Sequence, residues 1–168
     1  MAPRISPQAV QADNTPVTHV RVVVHTLGAA GPNTSDNHWS IYLIHPDGVS
    51  STRINMRAEL DNPTGILEWT RHGYVQTTSA ITYWDFPVGV GITTLFFARL
   101  IFSRHRDKYE MSGGGSGCRW WVYTIISDLS ENNYIHQGAP GEIWPNLLFI
   151  YHMNKERKSL HMVYGEFY

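Results

Sequence analysis

"HWSIYLIHPDGVSSTRINM", residues 38–56, contains two runs of strand-forming residues on either side of a turn sequence. β-Branched and aromatic side chains alternate with polar ones through 38–45 and 49–56, as they do in strands with one buried face. The tripeptide "PDG" at 46–48 is typical of a tight turn. These residues therefore predict a β-hairpin whose turn has a fixed place in the sequence.

The rest of the chain predicts further strands and helices around this hairpin. β-Branched and alternating residues indicate additional strands at 17–26, within 74–86 and at 160–168. Apolar residues at helical spacing indicate helices at 91–109, capped by Thr93 or Thr94, at 118–129 and at 142–153 beyond Pro145, with a helical turn or two in 62–74. The predicted fold class is α+β, with an antiparallel β-sheet packed against two or three helices.

The length of 168 residues fits one domain. Residues 1–16 contain three prolines and no apolar period, so we expect a flexible N-terminal arm followed by a single α+β domain over 17–168. The turn-rich stretch 27–37 predicts a long polar loop, and the glycines at 113–117 predict a flexible connection.

Charge and cysteine content narrow the class of protein. Thirteen Lys and Arg residues against 14 Asp and Glu argue against a nucleic-acid partner, and we expect a small-molecule or peptide substrate instead. One cysteine excludes an internal disulfide, and we see no secretory signal, so we expect a cytoplasmic location. The longest apolar stretch, 92–102, is too short for a membrane span. The oligomeric state stays open.

Cys118 opens the predicted helix 118–129, directly after a run of glycines. The unpaired N–H groups of a helix start favour a thiolate, and Arg119 adds positive charge beside it. A backbone N–H at this point also suits an oxyanion donor. The alternative is that Cys118 is a small buried hydrophobe, which is the commoner role of a free cysteine.

A nucleophilic cysteine requires a base, for which we select His38 at the start of the second strand. If the hairpin turns at 46–48, His38 lies across from about Asn55 to Arg57, and Ser51, Arg53 and Asn55 share one polar face. Asn55 is the best candidate to orient the imidazole, with Ser51 next.

The order of these residues resembles a known group of enzymes. "NHWSIYLI" (37–44), followed about eighty residues later by "GCRWWVYTII" (117–126), looks like the arrangement in circularly permuted papain-like folds. These include lecithin:retinol acyltransferase-like and NlpC/P60-superfamily enzymes. The resemblance implies His38 as base, Cys118 as nucleophile and a third residue within 50–56. Where the acyltransferases have Asn-Cys-Glu-His, this chain has Gly-Cys-Arg-Trp.

The chain also resembles, over most of its length, an uncharacterised family of small, mainly fungal domains with an "NHW... GCRYW" pattern. Such proteins occur beside natural-product pathways. We therefore expect a Cys-His enzyme that acts on an amide, ester or thioester through an acyl-enzyme, with Cys118, His38 and Asn55 as catalytic residues. Residues expected to bind the substrate are Trp39, Tyr42, Ser51, Arg53, Arg119, Trp120 and Trp121.

Two other functions fit the same sequence. The first is a non-covalent cyclase or isomerase in which His38 or Asp85 moves protons and an apolar cavity is lined by Trp39, Tyr42, Tyr83, Trp84, Trp120, Trp121 and Tyr123. The second is a non-catalytic binding module. We expect no cofactor and no metal, because the close histidine pairs, His19 with His25 and His38 with His45, lack the spacing of zinc sites.

Overall fold

A computed structural model of the chain describes residues 2–31, 34–59, 61–111 and 117–168. Within these residues, one antiparallel sheet has seven strands in the order β5-β1-β2-β3-β4-β6-β9, and a separate pair joins β7 to β8. The strands are β1 His19–Gly31, β2 Thr34–Ile44, β3 Ser51–Glu59, β4 Asn62–His72, β5 Ala80–Pro87, β6 Tyr109–Glu110, β7 Phe149–Tyr151, β8 Arg157–Ser159 and β9 Glu166–Phe167. The helices are α1 Pro7–Val10, α2 Thr94–Ser103, α3 Cys118–Glu131 and α4 Ala139–Ile143, with a 3-10 turn at Trp144–Leu148. The predicted α+β class is confirmed.

The hairpin of β2 and β3 forms where the sequence places it. Asp47 Oδ1 accepts hydrogen bonds from the backbone N–H groups of Val49 and Ser50, each at 2.9 Å. Gly48 has a φ of 71°, a conformation that a residue without Cβ adopts at little cost. The ladder then runs from Ile44 opposite Ser51 to Ile41 opposite Ile54, where it ends.

One face of the sheet packs against α2 and α3 and forms the main core. The apolar positions of β1, β2 and β3 alternate onto this face, and they meet the apolar stripe of α3. Core side chains with no more than 1% exposure include Val22, Val24, Trp39, Ile41, Ile54, Met56, Phe97, Trp121 and Ile125. Each such burial contributes roughly 1.5–3 kcal/mol, so α3 is held firmly by its buried side.

The opposite face of the sheet is covered by the segment that connects β4 to β5. Ser51 Oγ donates to the Tyr74 carbonyl at 2.6 Å, and Arg21 Nη1 donates to the Val75 carbonyl at 2.9 Å. His25 Nδ1 lies 3.0 Å from Ser79 Oγ. Segment 73–79 therefore covers polar side chains of β1 and β3 on the face away from α2 and α3.

Several predicted elements differ from the structure. Stretch 62–74 is not helical but contains β4, because β3 offers it a partner from Ser51–His72 to Glu59–Asn62. Within the described part of 27–37, β1 and β2 extend as strands in place of the loop, because each pairs with the other. Most of the glycine run lies outside the described residues.

The other helices and the closing strand are shorter than predicted. The helix expected over 91–109 ends at Ser103, just before His105 takes a φ of 55°, and its Thr93 cap makes no side-chain bond. Within 142–153 a 3-10 turn gives way to β7. Of 160–168, only Glu166–Phe167 is a strand.

The N-terminal segment, expected to be a flexible arm, packs against the sheet and α2. Its backbone bonds to β4, with Ile5 N–H donating to the Trp69 carbonyl at 2.8 Å. Val10 is fully buried in the main core. Asp13 pairs with Arg71 across the same edge at 2.5 Å. Buried apolar contacts and strand-edge hydrogen bonds, which the prolines do not reveal, order this segment.

Candidate functional site

The imidazole of His38 is hydrogen-bonded to the side chain of Asn55. An amide oxygen only accepts, so His38 Nε2 carries the ring proton and Nδ1 has a free lone pair. Burial lowers the pKa of His38, more than the Asn55 hydrogen bond raises it. The ring is therefore neutral near pH 7, with one nitrogen in the state that a general base needs.

This hydrogen bond lies at the open end of the β2–β3 ladder. The last backbone pair is Ile41 with Ile54, and beyond it the two strands are no longer joined to each other in the sheet. His38 and Asn55 come from the segments that follow this pair, and their side chains bridge the two strands. Two side chains therefore join the strands at the point where backbone pairing ends.

Cys118 approaches the same segment of β2 from the helix side of the sheet. It is the first residue of α3, and its thiol is buried against the backbone N–H of Trp39, the residue after His38. Among the residues that the structure describes, no hydrogen bond joins the Cys118 thiol to the His38 imidazole. The thiol and the imidazole thus flank one segment of strand without direct bonding.

Burial raises the pKa of the Cys118 thiol and is the dominant influence on it. The N–H groups of Trp39, Cys118 and Arg119 oppose this effect, as does the positive charge of Arg119. The resting group is therefore a neutral thiol, and the nearby N–H groups would stabilise its anion. Attack on a substrate would require a base to remove the thiol proton.

Two further imidazoles, His25 and His72, lie on the His38 face. His25 is directly opposite His38 in the β1–β2 register, with ring centroids 6.4 Å apart, and its Nε2 lies 2.7 Å from Ser40 Oγ. Burial, followed by Arg53, lowers the pKa of His25 to about 3. The same two causes lower the pKa of His72. These rings are neutral near pH 7.

Arg53 lies on this face between the imidazoles, two residues before Asn55. Its guanidinium is 5.8 Å from the centre of the Tyr42 ring. The side chain is half-buried, and its Nε is enclosed without a hydrogen-bond partner. Within the described ranges, Arg53 has no carboxylate partner either. The site therefore combines neutral rings with one cation that the protein itself does not neutralise.

A family model described as Domain of unknown function (DUF7770) matches residues 20–168. The chain belongs to the DUF7770 family. The matched range includes His38, Asn55 and Cys118, and the expectation of an uncharacterised domain family is confirmed in this general form. No curated protein and no solved structure matches the chain.

In this DUF7770 domain, Arg119 is enclosed. Its guanidinium donates to three backbone carbonyls, those of Leu147, Leu160 and His161. These carbonyls occupy the guanidinium that the sequence suggests for substrate binding, so that role stays a prediction, while the Arg119 charge acts on the Cys118 thiol. The sequence shows the charge but not the distant carbonyls that engage it.

Three other predicted substrate-binding residues are part of the packed interior. Trp39 stacks on Trp84 at 5.5 Å, and Trp121 Nε1 donates to the Arg106 carbonyl at 2.8 Å. Ser51 is used to hold the Tyr74 carbonyl. These side chains are buried and shape the site only indirectly.

The remaining predicted lining residues lie on different surfaces. Tyr42 lies in the His38-face cluster, 6.0 Å from the His25 ring, whereas Trp120 is half-buried and stacks on Tyr123 at 5.5 Å. Tyr83 is 40% exposed and lies beneath the Arg21 guanidinium at 3.9 Å. These aromatics therefore do not line one common cavity as predicted.

Asp85, a possible proton carrier, is held by Arg21 through two hydrogen bonds of 2.8 and 2.9 Å. Both carboxylate oxygens of Asp85 therefore accept a hydrogen bond from Arg21. His25 and His72, by contrast, were not selected from the sequence. Their signal was the alternation of β1 and β4, which places both rings on the face that carries His38 once the strand order is known.

A separate apolar groove of about 680 Å³ lies at the C-terminal side of the DUF7770 domain. Its lining includes Trp144, Leu148, Leu160 and His161. Two of these residues contribute carbonyls that Arg119 binds, so the start of α3 supports one wall of the groove. No helix in the described part of the chain is long and apolar enough to cross a membrane.

Proposed function

We propose that this protein is a cysteine-dependent hydrolase or acyltransferase that acts on an amide, ester or thioester. Cys118 is the nucleophile, His38 is the general base and Asn55 positions the imidazole. The observation that carries the proposal is the His38–Asn55 hydrogen bond, formed at the strand segment whose Trp39 N–H contacts the Cys118 thiol. A permuted papain-like arrangement is part of the proposal, since the His strand, the polar third residue and the Cys helix follow in that order.

The reaction begins with transfer of the Cys118 proton to His38 Nδ1 while sulfur attacks the carbonyl carbon. At rest the thiol lies on the helix side of β2 and the imidazole on the other face of the sheet. The mechanism therefore requires the His38 segment of β2 to move when substrate binds, so that Nδ1 reaches the thiol. The carbonyl oxygen becomes an oxyanion near the N–H groups at the start of α3. Collapse breaks the bond to the leaving group, which takes the proton from His38 and leaves an acyl-enzyme.

Resolution of the acyl-enzyme repeats these steps with a second nucleophile. His38 Nδ1 accepts a proton from water or an amine as that molecule attacks the acyl carbon. The C–S bond then breaks, and His38 returns this proton to the sulfur, which restores the thiol and the neutral imidazole. Water gives hydrolysis and an amine gives transfer. We propose a small-molecule or peptide substrate in a cytoplasmic setting, with fungal natural-product metabolism as the context that the resemblance suggests.

Acylation by p-nitrophenyl acetate, followed by intact-mass spectrometry, tests the proposal. We expect one acetyl group on Cys118 in the wild type and none in Cys118→Ala. His38→Gln should slow acylation by about 10²-fold or more, because the base is lost. His136→Gln, at an exposed histidine, is the matched control and should acylate normally. Equal rates for wild type and His38→Gln would disprove the role of His38.

A non-covalent cyclase or isomerase using the same base is the second candidate. It is favoured by the buried, protonated thiol and by the missing bond between Cys118 and His38 within the described residues. Once a substrate is found, two variants distinguish the covalent mechanism from the non-covalent one. Cys118→Ala should retain turnover in the non-covalent case and lose it in the covalent case, while His38→Gln should lose it in both.

A further inference from the structure

Arg53 differs from every other arginine that the structure describes. Each of the others donates to a carboxylate, a backbone carbonyl or a tyrosine hydroxyl, whereas Arg53 has no acceptor. A guanidinium N–H removed from water without an acceptor is costly, and this is the state of the Arg53 Nε–H. The position of Arg53 thus leaves a positive charge available to a ligand.

Among the residues that the structure describes, the surroundings of Arg53 offer no carboxylate partner and several apolar or neutral surfaces. The Tyr42 ring lies on one side, and the neutral imidazoles of His25, His38 and His72 are close enough to feel the guanidinium charge. With one cation and no anion, this cluster has the charge that matches a monoanion. A carboxylate fits this charge and the planar fork of a guanidinium, while a phosphomonoester is largely a dianion near pH 7.

Arg53 is also close to the groups that would perform the chemistry. It precedes Asn55 by two residues on the same face of β3, which corresponds to a separation of about 7 Å along the strand. The Arg53 side chain is half-buried, so part of it reaches solvent. An anionic group bound there would hold an adjoining carbonyl within a few bond lengths of His38.

We propose that Arg53 binds a carboxylate group of the substrate and thereby selects carboxylate-bearing amides, esters or thioesters. This inference rests on the proposed function for its reaction, but the binding step is independent of Cys118. It assigns Arg53 a specificity role, with no part in bond making or breaking. His25 and His72 act as neutral walls of the subsite.

Histidine NMR of the full chain, titrated with propionate at constant ionic strength, tests this assignment. We expect saturable shifts of the His38 and His72 imidazole signals, with the exposed His105 and His136 as references. Arg53→Gln should weaken propionate binding at least tenfold, and Arg53→Lys should weaken it less because it keeps the charge without the fork. Arg157→Gln removes an equal charge at an exposed site and should bind as the wild type does.

The outcomes separate the subsite from the covalent mechanism. Propionate should bind Cys118→Ala as well as wild type, so failed acylation with intact binding would overturn only the proposed function. Absence of a saturable response in the wild type would overturn the carboxylate subsite, as would equal binding by folded Arg53→Gln. If Arg53→Gln does not fold, unweakened binding by Arg53→Lys overturns it. Tighter binding of inorganic phosphate than of propionate would overturn the assignment to carboxylates.

Discussion

Replacing Asn55 by alanine removes the side chain that holds the His38 imidazole. Asn55 is only 7% exposed, so water does not readily take the place of its amide. The substitution leaves His38 Nε2 without its acceptor, and an unsatisfied buried donor costs about 1–3 kcal/mol. We therefore expect Asn55→Ala to lower the free energy of unfolding by that amount.

The same substitution should also change the titration of His38. The Asn55 hydrogen bond raises the pKa of His38 against the larger effect of burial, so its removal should lower that pKa further. Urea unfolding followed by circular dichroism gives the stability, and the imidazole NMR signal gives the titration. Asn14→Ala, at an exposed asparagine, is the control and should change neither quantity. A loss below about 0.5 kcal/mol with an unchanged His38 titration would show that the hydrogen bond does not form in solution.

Acid should destabilise the protein through His25: its folded pKa of about 3 lies below the unfolded value near 6.5, so the unfolded chain takes the proton first. The free energy of unfolding should fall by ~1.4 kcal/mol for each unit of pH decrease between those values because of this group. In His25→Gln the decrease should be smaller. Gly65→Ala should lower the melting temperature, because a Cβ there would lie 2.6 Å from Met56 Sδ, whereas Gly73→Ala meets nothing within 4 Å; equal melting temperatures would contradict this packing. Arg119→Met should leave three carbonyls unbound and speed limited proteolysis of the C-terminal residues, and unchanged cleavage would refute the tether.

Local sequence patterns were sufficient to predict the β2–β3 hairpin and the start of α3, which carry His38, Asn55 and Cys118. The turn at 46–48 fixes the register of β2 against β3, and this register brought Asn55 to His38 as predicted. Helix α3 begins at Cys118 as predicted, because glycine precedes an unbroken apolar stripe. In both cases the information lies within about twenty consecutive residues.

Non-local partners explain the features that the sequence did not predict. Stretch 62–74 has mixed local preferences, and it becomes β4 only because the edge of β3 is there to pair with it. From the sequence alone, Arg119 is a charge with no evident partner. Its acceptors, the carbonyls of Leu160 and His161, are about forty residues further along the chain. The site residues that sequence reasoning missed, His25 and His72, reach His38 through strand pairing across the sheet.

The backbone N–H of Trp39 lies close enough to the Cys118 sulfur to lower the pKa of the thiol. Any modification of Cys118, whether acylation, alkylation or oxidation, changes the group beside this N–H and should alter its rate of exchange with solvent. Solvent exchange at Trp39 would therefore record occupancy of the cysteine directly. Unknown substrates could be screened through this single amide, without a chromogenic leaving group and before any product has been identified.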